Sequence, residues 1–195
     1  MKAESMLVLV GPHGAGKTTM GRRLAEELGI PFHEEIGRFL REKALARDIR
    51  AHAMATQEEF DERVIRLEIE RDLAWGRGAR IVETWHPGNL AYASLRSPVV
   101  YERMLPDVRA LIASLRTQVL VQPLTISRRC ALERLSESGP DRKRLVDFLL
   151  AVGERAITVA DDIGLRVLPP LGTETQPIRL LAEQVADAAR GLVLG

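Results

Sequence analysis

Cysteine, strong net charge and long apolar runs are all scarce in this chain of 195 residues. Cys130 is the single cysteine, which excludes a disulfide framework and a cysteine-based metal site. The formal net charge is only +1, so general binding to nucleic acid or to a membrane surface is not expected. No apolar run approaches the length of a membrane-spanning helix. We therefore expect a cytoplasmic protein without a nucleic-acid or membrane partner.

The chain does contain enough apolar material for a proper core. Hydrophobic residues make up 46% of the sequence, which argues against disorder. The length is ordinary for one domain, so we predict a single domain over residues 1–195. Short apolar segments alternate with segments of helical periodicity, a pattern typical of an α/β protein with a parallel, doubly wound sheet.

The most informative stretch begins with five consecutive apolar residues, Met6–Val10, which predict a strand buried on both faces. A loop with the phosphate-binding pattern G-x-x-x-x-G-K-T follows, and a helix is predicted over 17–28. Glycines allow such a loop to turn its N–H groups toward phosphate oxygens, and the helix N-terminus adds positive potential. The residues predicted to bind nucleotide are Gly11, His13, Gly14, Ala15, Gly16, Lys17, Thr18 and Thr19.

Two side chains of this P-loop have distinct chemical roles. Lys17 can neutralise charge on a transferred phosphoryl group, which makes it a candidate catalytic residue. The Thr18 hydroxyl can coordinate Mg²⁺. The alternative is a glycine-rich turn that binds nothing, but the strand before the loop and the helix after it are the context that the motif requires.

A second candidate site follows the short strand predicted near Phe32–His33. Ligands of open parallel sheets bind beyond the carboxyl ends of the strands, and Glu35 and Arg38 come directly after this one. Glu35 could orient or deprotonate an acceptor hydroxyl, and Arg38 could bind a phosphate or a carboxylate. The alternative is that Glu34 and Glu35 only decorate a helix N-terminus, where acidic residues are favoured. The P-loop in the same chain favours the functional interpretation.

Glu83 is the candidate carboxylate of the metal site, and it ends the strand predicted from Ile81 and Val82. A P-loop enzyme needs an acid near Mg²⁺ at a strand end, and the other two candidate strands, over 119–122 and 165–169, end without one. Glu83 would act on the metal directly or through water. The alternative is an acid that caps the next turn.

Three ring side chains follow Glu83. Trp85 and Tyr92 are candidates to stack on a flat substrate ring, with burial in the core as the alternative. We interpret His86 as a loop residue, because no second histidine stands at metal-ligand spacing.

The polar segment at about 134–144 is rich in charge and contains Gly and Pro, so we predict a mobile loop that acts as a small lid. Arg134 and Arg142 lie near its ends and could neutralise transition-state charge. The alternative is a solvated surface loop. After it, an apolar stripe at helical spacing runs to Ile163 and overrides the weak position at Gly153.

Two further helices carry no candidate chemistry. The first is predicted to begin with a capping box at Thr56 and to reach about Trp75, and its many charges are interpreted as a solvated face. The second opens at Ser97–Pro98, and Pro106 is expected to interrupt or restart it.

These segments together resemble the nucleoside and nucleotide kinase group of P-loop proteins. Residues 83–92 are similar to the thymidylate kinase segment that begins with an Asp-Arg-aromatic triplet, although Thr84 replaces the arginine. Residues 131–148 resemble the lid of that family, and Glu35-Ile36-Gly37-Arg38 resembles the Glu-x-Gly-Arg of ribosylnicotinamide kinase domains. The resemblance implies a three-layer α/β P-loop kinase fold with a five-stranded parallel sheet, helices on both faces and a small lid.

The expected function is Mg²⁺-dependent transfer of the ATP γ-phosphate to a small molecule, a nucleoside or a nucleoside monophosphate. The alternatives are a nucleotide-binding sensor or ATPase with altered catalysis, and a kinase of a non-nucleoside metabolite. A GTPase switch is disfavoured because no Asn-Lys-x-Asp segment is present. A ring-forming ATP-driven machine is disfavoured by the chain length and by the lack of a strand that ends in Asp-Glu. The preference for ATP over GTP and the oligomeric state, including homodimerisation, stay open.

Overall fold

The computed structural model describes residues 4–46, 57–76, 78–135 and 141–193. Its strands are β1 (Glu4–Val10), β2 (Phe32–His33), β3 (Arg80–Glu83), β4 (Thr117–Thr125), β5 (Arg166–Val167) and β6 (Leu171–Gly172). Its helices are α1 (Lys17–Leu28), α2 (Ile36–Ala46), α3 (Gln57–Ala74), α4 (Trp85–Arg96), α5 (Pro98–Ser114), α6 (Arg128–Arg134), α7 (Arg142–Asp162) and α8 (Ile178–Val193). The predicted capping residue Thr56 and the central part of the predicted lid, 136–140, lie outside the described residues.

A parallel sheet forms the middle layer of the fold. Its strand order is β2-β3-β1-β4-β5, and each of these pairings is parallel. The short strand β6 pairs in parallel with the end of β4, and the sequence did not predict it as a strand. The prediction of a five-stranded parallel sheet is confirmed, with β6 as an addition. Because the strands are parallel, the loops after β1, β2 and β3 lie at one edge of the sheet.

Helices cover both faces of the sheet, as predicted. Along β1, Met6 and Val8 contribute to a core that includes residues of α3, α4, α5 and α7. Leu7 and Leu9 contribute to a second core that includes residues of α1 and α8. Successive side chains of a strand point to opposite faces, so a central strand covered on both sides requires an unbroken apolar run. None of the described helices combines the length and the apolar composition needed to cross a membrane.

Two helices differ from the sequence-based expectation. The helix α5 runs through Pro106 without a break. Pro106 and Glu102 are both exposed, so water can solvate the carbonyl that loses its helical partner. The segment after Glu83 is a helix rather than a loop, because α4 already begins at Trp85. Pro87 lies in its first turn, where a proline removes no helical hydrogen bond.

Gly153 allows α7 to pass directly against the P-loop. A Cβ atom at this position would lie 2.6 Å from Cδ of Pro12 and 2.8 Å from its backbone nitrogen. Gly153→Ala is therefore expected to displace the loop and to lower the free energy of unfolding, measured by urea denaturation, by about 1–3 kcal/mol. Glu154→Ala, at the exposed next position, is the control, and equal behaviour of the two variants would contradict the close packing.

Candidate functional site

The P-loop joins β1 to the N-terminus of α1 in a conformation that requires glycine. Gly11 has a φ of 142°, and a Cβ atom there would lie 2.2 Å from the carbonyl oxygen of Leu124 in β4. Gly16, with a φ of 83°, directly precedes α1. Within the loop, the N–H of Ala15 donates to the carbonyl oxygen of Pro12 at 3.2 Å. The first N–H groups of α1 have no partner within the helix, which makes this end of α1 suited to phosphate.

Lys17 lies inside the loop and is only 8% exposed. Its Nζ donates to the carbonyl oxygens of Gly11 at 3.0 Å and Pro12 at 3.1 Å. Burial lowers the pKa of Lys17, and the nearby carboxylates of Glu83 and Glu35 oppose this shift. Neutral carbonyl oxygens thus hold the ammonium group at the loop. A negatively charged phosphate oxygen is a stronger acceptor and can take over these hydrogen bonds. His13 on the loop and Thr19 in the first turn of α1 are exposed.

Strand β3 brings Glu83 to the P-loop, as the sequence predicts for a metal-site carboxylate. Glu83 pairs in register with Leu9, two residues before Gly11. The Thr18 hydroxyl donates to the Glu83 carboxylate, with oxygen distances of 2.9 and 3.1 Å. Nη2 of Arg38 lies 3.0 Å both from Oγ1 of Thr18 and from Oε1 of Glu83. Three side chains from distant parts of the chain therefore meet at one point.

The pair formed by Thr18 and Glu83 suits a hard cation that also binds the phosphates of ATP. Burial raises the pKa of Glu83, while the positive charges of Lys17 and Arg38 act in the opposite direction. The described residues contain no group of three His, Cys, Asp or Glu side chains that could hold a metal ion. One hydroxyl and one carboxylate are nevertheless a sufficient protein share when phosphate oxygens and water complete the coordination of Mg²⁺. Arg38 is the group that a cation at this point would displace.

Glu35 lies at the start of α2, beside the end of β3. Its Oε1 accepts from Nη2 of Arg41 at 3.0 Å, and the Thr84 hydroxyl donates to its Oε2 at 3.3 Å. Burial acts to raise the pKa of Glu35, but the positive charges of Arg41, Lys17 and Arg38 outweigh it and hold the pKa below its usual value of 4.5. Glu35 is therefore a carboxylate at neutral pH and can accept a hydrogen bond from an acceptor hydroxyl.

The lowered pKa of Glu35 predicts how stability depends on pH. The folded protein binds the proton less tightly than the unfolded chain, so the ionised group stabilises the fold above the unfolded pKa, near 4.5. This stability is lost as the pH falls through the folded pKa. The free energy of unfolding, from urea titrations between pH 6 and about 3, should therefore fall less steeply for Glu35→Gln than for the wild type. Glu58→Gln, at an exposed position of α3, should keep the wild-type slope.

The two arginines of the predicted lid have different positions. Arg134 lies on the outer side of the P-loop, where Nη1 donates to the carbonyl oxygen of Gly14 at 3.0 Å and Nη2 to that of Thr173 at 3.2 Å. Arg142 instead donates to the carbonyl oxygens of Leu132 and Leu135 at the end of α6. The structure therefore brings Arg134 to the P-loop, and it places Arg142 on the carbonyls of its own segment.

The two aromatic candidates, Trp85 and Tyr92, lie in different environments. Trp85 is completely buried, and its Nε1 donates to both carboxylate oxygens of Asp72 at 3.0 and 3.1 Å. The prediction that Trp85 stacks on a substrate is wrong, because neither face of its ring is open to a ligand. Tyr92 lines a cleft between α2, α3 and α4, and the Arg96 guanidinium lies 4.9 Å from the centre of its ring.

The interpretation of His86 as a loop residue is also wrong. His86 lies in α4 and is completely buried, with its Nε2 2.8 Å from Oδ2 of Asp72. The same carboxylate therefore holds two consecutive residues, Trp85 and His86. The charges of α3 are correspondingly not all solvated, because Asp61, Glu68 and Asp72 are buried. These three acids are spaced by seven and four residues, which puts them on the same helix face as the apolar Val64 and Ile65. That spacing in the sequence could have predicted their burial, although the high charge of the helix favoured a solvated face.

A strained turn links Glu83 to α4. Thr84 has φ 70° and ψ −63°, and Trp85 has φ 47°. Positive φ is a true outlier for a β-branched residue, so surrounding contacts must hold this turn. Gly88 makes room for it, since a Cβ atom there would lie 2.4 Å from Cγ2 of Thr84. The turn that follows the candidate metal-site carboxylate is thus fixed from α3 and from α4.

Comparison with known proteins identifies the family. The model of a family described as AAA domain (AAA_28) matches residues 6–131, more than half of the chain. The chain belongs to this AAA domain family. The matched part of this AAA domain runs from β1 into α6, and it contains the P-loop and the Glu35 and Glu83 regions.

The relatives of this AAA domain include kinases. Adenylate kinase 9 of Mus musculus is 37% identical over 78 residues, 40% of this chain and 4% of that protein. Shikimate kinase of Pseudomonas fluorescens (strain Pf0-1) is 64% identical over 28 residues, 14% of this chain and 16% of that enzyme. The chain therefore spans only a small part of either curated relative.

The structural likeness is more extensive. The structure of NadR protein in complex with NR has a TM-score of 0.66 and 21% identity, and the match covers 99% of this chain and 52% of that one. This AAA domain thus has a P-loop kinase fold. The fold that the sequence resemblance implies is therefore confirmed.

Proposed function

We propose that the protein is a Mg²⁺- and ATP-dependent kinase that transfers the γ-phosphate to a nucleoside or a nucleoside monophosphate, as a single cytoplasmic domain. The observation that carries this proposal is the convergence of Lys17, Thr18, Glu83 and Glu35 at one edge of the sheet. The contacts of Thr18 with Glu83 and of Thr84 with Glu35 connect the nucleotide side of the site to the acceptor side.

On the nucleotide side, the P-loop N–H groups and Lys17 bind the phosphates of ATP. Thr18 and Glu83 would hold Mg²⁺, directly or through water, and the ion would supply positive charge that neutralises the phosphates of ATP. Arg134, which contacts Gly14 and Thr173, lies where the outer part of the nucleotide would extend from the loop.

On the acceptor side, Glu35 orients the hydroxyl that is phosphorylated. The hydroxyl oxygen forms a bond to the γ-phosphorus while the bond from that phosphorus to the β–γ bridging oxygen breaks. ADP leaves with the bonding electron pair, and the hydroxyl proton passes to the Glu35 carboxylate and then to water. Because phosphoryl transfer has a loose transition state, positioning and charge neutralisation, to which Lys17 contributes, supply most of the rate.

The test is ADP formation from ATP and Mg²⁺ with a panel of nucleosides, nucleoside monophosphates and hydroxylated metabolites, including shikimate. One nucleoside or monophosphate that raises turnover well above the acceptor-free rate is the expected result. Highest turnover with a non-nucleoside would support the metabolite kinase instead. ATP binding without stimulation by any acceptor would support the sensor.

The role of Glu35 is tested with the best acceptor of that panel. Glu35→Gln should lower kcat by about 10²-fold or more, because the amide cannot take the proton. Glu26→Gln, in α1 with its side chain 72% exposed, is the control and should retain wild-type turnover. Equal kcat values for the two variants would remove Glu35 from the mechanism.

A further inference from the structure

The candidate metal site contains a positive charge of the chain itself, the guanidinium of Arg38. Its Nη2 lies 3.0 Å from Oγ1 of Thr18 and 3.0 Å from Oε1 of Glu83. These are the two side-chain oxygens that would hold Mg²⁺ in the proposed enzyme, directly or through water. A guanidinium and a metal ion cannot use them together, because both need the same lone pairs and both are positive. Arg38 and a metal ion therefore compete for one position.

Glu83 needs a positive partner whether or not a metal ion is bound. Its side chain is only 1% exposed, and a buried carboxylate without a counter-charge is strongly destabilising. The Thr18 hydroxyl donates to it but carries no charge. The nearby Lys17 uses its Nζ for the carbonyl oxygens of Gly11 and Pro12. Arg38 therefore supplies the positive charge that directly contacts Glu83.

Arg38 has space and a second partner outside the metal site. Its side chain is 28% exposed, and its Nη1 lies 3.4 Å from Oε2 of Glu34, whose side chain is 41% exposed. It also lines an open groove of about 310 Å³ together with Glu34, Glu35, Ile36, Phe39, Glu42 and Arg71. Thr18 and Glu83 are instead fixed at the start of α1 and the end of β3. The guanidinium can thus leave by rotation of its own side chain, without movement of a helix.

We propose that Arg38 is a built-in substitute for the metal ion, which neutralises Glu83 in the metal-free protein and moves to Glu34 and the groove when Mg²⁺ arrives with the nucleotide. This exchange keeps a positive partner on Glu83 in both states. The inference rests on the proposed function, because it requires the nucleotide phosphates at the P-loop. It makes Arg38 an opponent of Mg²⁺-nucleotide binding and a shield between Glu83 and the phosphates when no metal ion is present.

The test compares Arg38→Ala with the wild type by calorimetric titration of the ATP analogue AMP-PNP, once in saturating Mg²⁺ and once in EDTA. In Mg²⁺ the variant should bind about 10-fold more tightly, because no charge-assisted hydrogen bonds to Thr18 and Glu83 have to be broken. In EDTA it should bind more weakly than the wild type, because the unshielded Glu83 repels the phosphates. The effects of one substitution thus have opposite signs in the two buffers.

The matched control is Arg22→Ala, which removes the same charge from the neighbouring helix α1. The Arg22 guanidinium pairs with Glu34 at 2.5 Å rather than with Glu83, and its side chain is 65% exposed. This variant should bind AMP-PNP as the wild type does in both buffers. Weaker binding by Arg38→Ala in both buffers would make Arg38 a phosphate ligand and overturn the inference. Unchanged binding in Mg²⁺ would overturn it as well.

A second measurement observes the exchange in the wild-type protein, so it decides even if Arg38→Ala does not fold. The ¹⁵N-resolved NMR signal of the Arg38 Nε–H group is assigned by its absence from the spectrum of Arg38→Lys. This signal should shift when Mg²⁺ is added to the protein with AMP-PNP. A signal that Mg²⁺ does not move would contradict the displacement of Arg38.

Failure of the inference is distinct from failure of the proposed function. If the wild type binds AMP-PNP and Mg²⁺ but Arg38 neither moves nor affects the affinity, the kinase proposal stands and the substitute role of Arg38 is wrong. If the wild type binds AMP-PNP in neither buffer, the proposed function is wrong, and the inference fails with it.

Discussion

Replacement of Lys17 by alanine is expected to lower kcat/KM for ATP-dependent phosphoryl transfer by about 10²–10³-fold while the protein stays folded. The buried ammonium group lies within hydrogen-bond distance of two P-loop carbonyls, at the place where the β- and γ-phosphates bind in the proposed complex. Its loss removes a full positive charge from a site where little water screens it. The fold should tolerate the change, because burial already disfavours the charged lysine, as its lowered pKa indicates.

Two measurements separate this loss of function from a loss of structure. Turnover is followed as ADP formation with the best acceptor of the panel, and stability as the midpoint of urea denaturation. Arg23→Ala, on the exposed face of the same helix, removes a positive charge without touching the P-loop and should behave as the wild type in both measurements. Wild-type turnover in Lys17→Ala would show that the ammonium group has no catalytic role.

The sequence predicted those parts of the fold that follow from local pattern. An apolar run with glycines at fixed spacing allows few structures, so β1, the P-loop and α1 are predicted to within a residue or two. Glu83 could be predicted as well, because parallel strands bring their carboxyl ends to the same edge of the sheet. Its contacts with Thr18 and Arg38 place it beside the P-loop, as that argument requires.

The parts that the sequence did not predict depend on which helix covers which face. His86 is interpreted from the sequence as a loop residue, yet it lies in the first turn of α4, where Gly88 provides the space for Thr84. The acids of α3 suggested a solvated face, because a charged residue looks the same in a sequence whether its partner is water or Arg96. Only the packing of α3 on α4 shows that Asp61 and Asp72 have buried partners.

Asp72→Ala is expected to destabilise the fold severely, with a loss of about 3–5 kcal/mol in the free energy of unfolding. The carboxylate accepts from Nε1 of Trp85 and lies 2.8 Å from Nε2 of His86, and all three side chains are buried. Alanine would leave both ring nitrogens without a partner and would also create a cavity. Urea denaturation measures the loss, and the midpoint of thermal unfolding should fall by about 10 °C.

The neighbouring residue supplies the control for Asp72. Leu73→Ala truncates a side chain that is 72% exposed on the same helix, so it should change stability little. An equal loss of stability in Asp72→Ala and Leu73→Ala would mean that the buried contacts of Asp72 contribute nothing. Asp72→Asn keeps the shape and one acceptor oxygen, and it should fall between the two. Because Trp85 belongs to the strained turn directly after Glu83, loosening it should also disturb this candidate metal-site carboxylate. We therefore expect Asp72→Asn to lose kcat by a larger factor than its small loss of stability would explain, with little change in the KM for ATP.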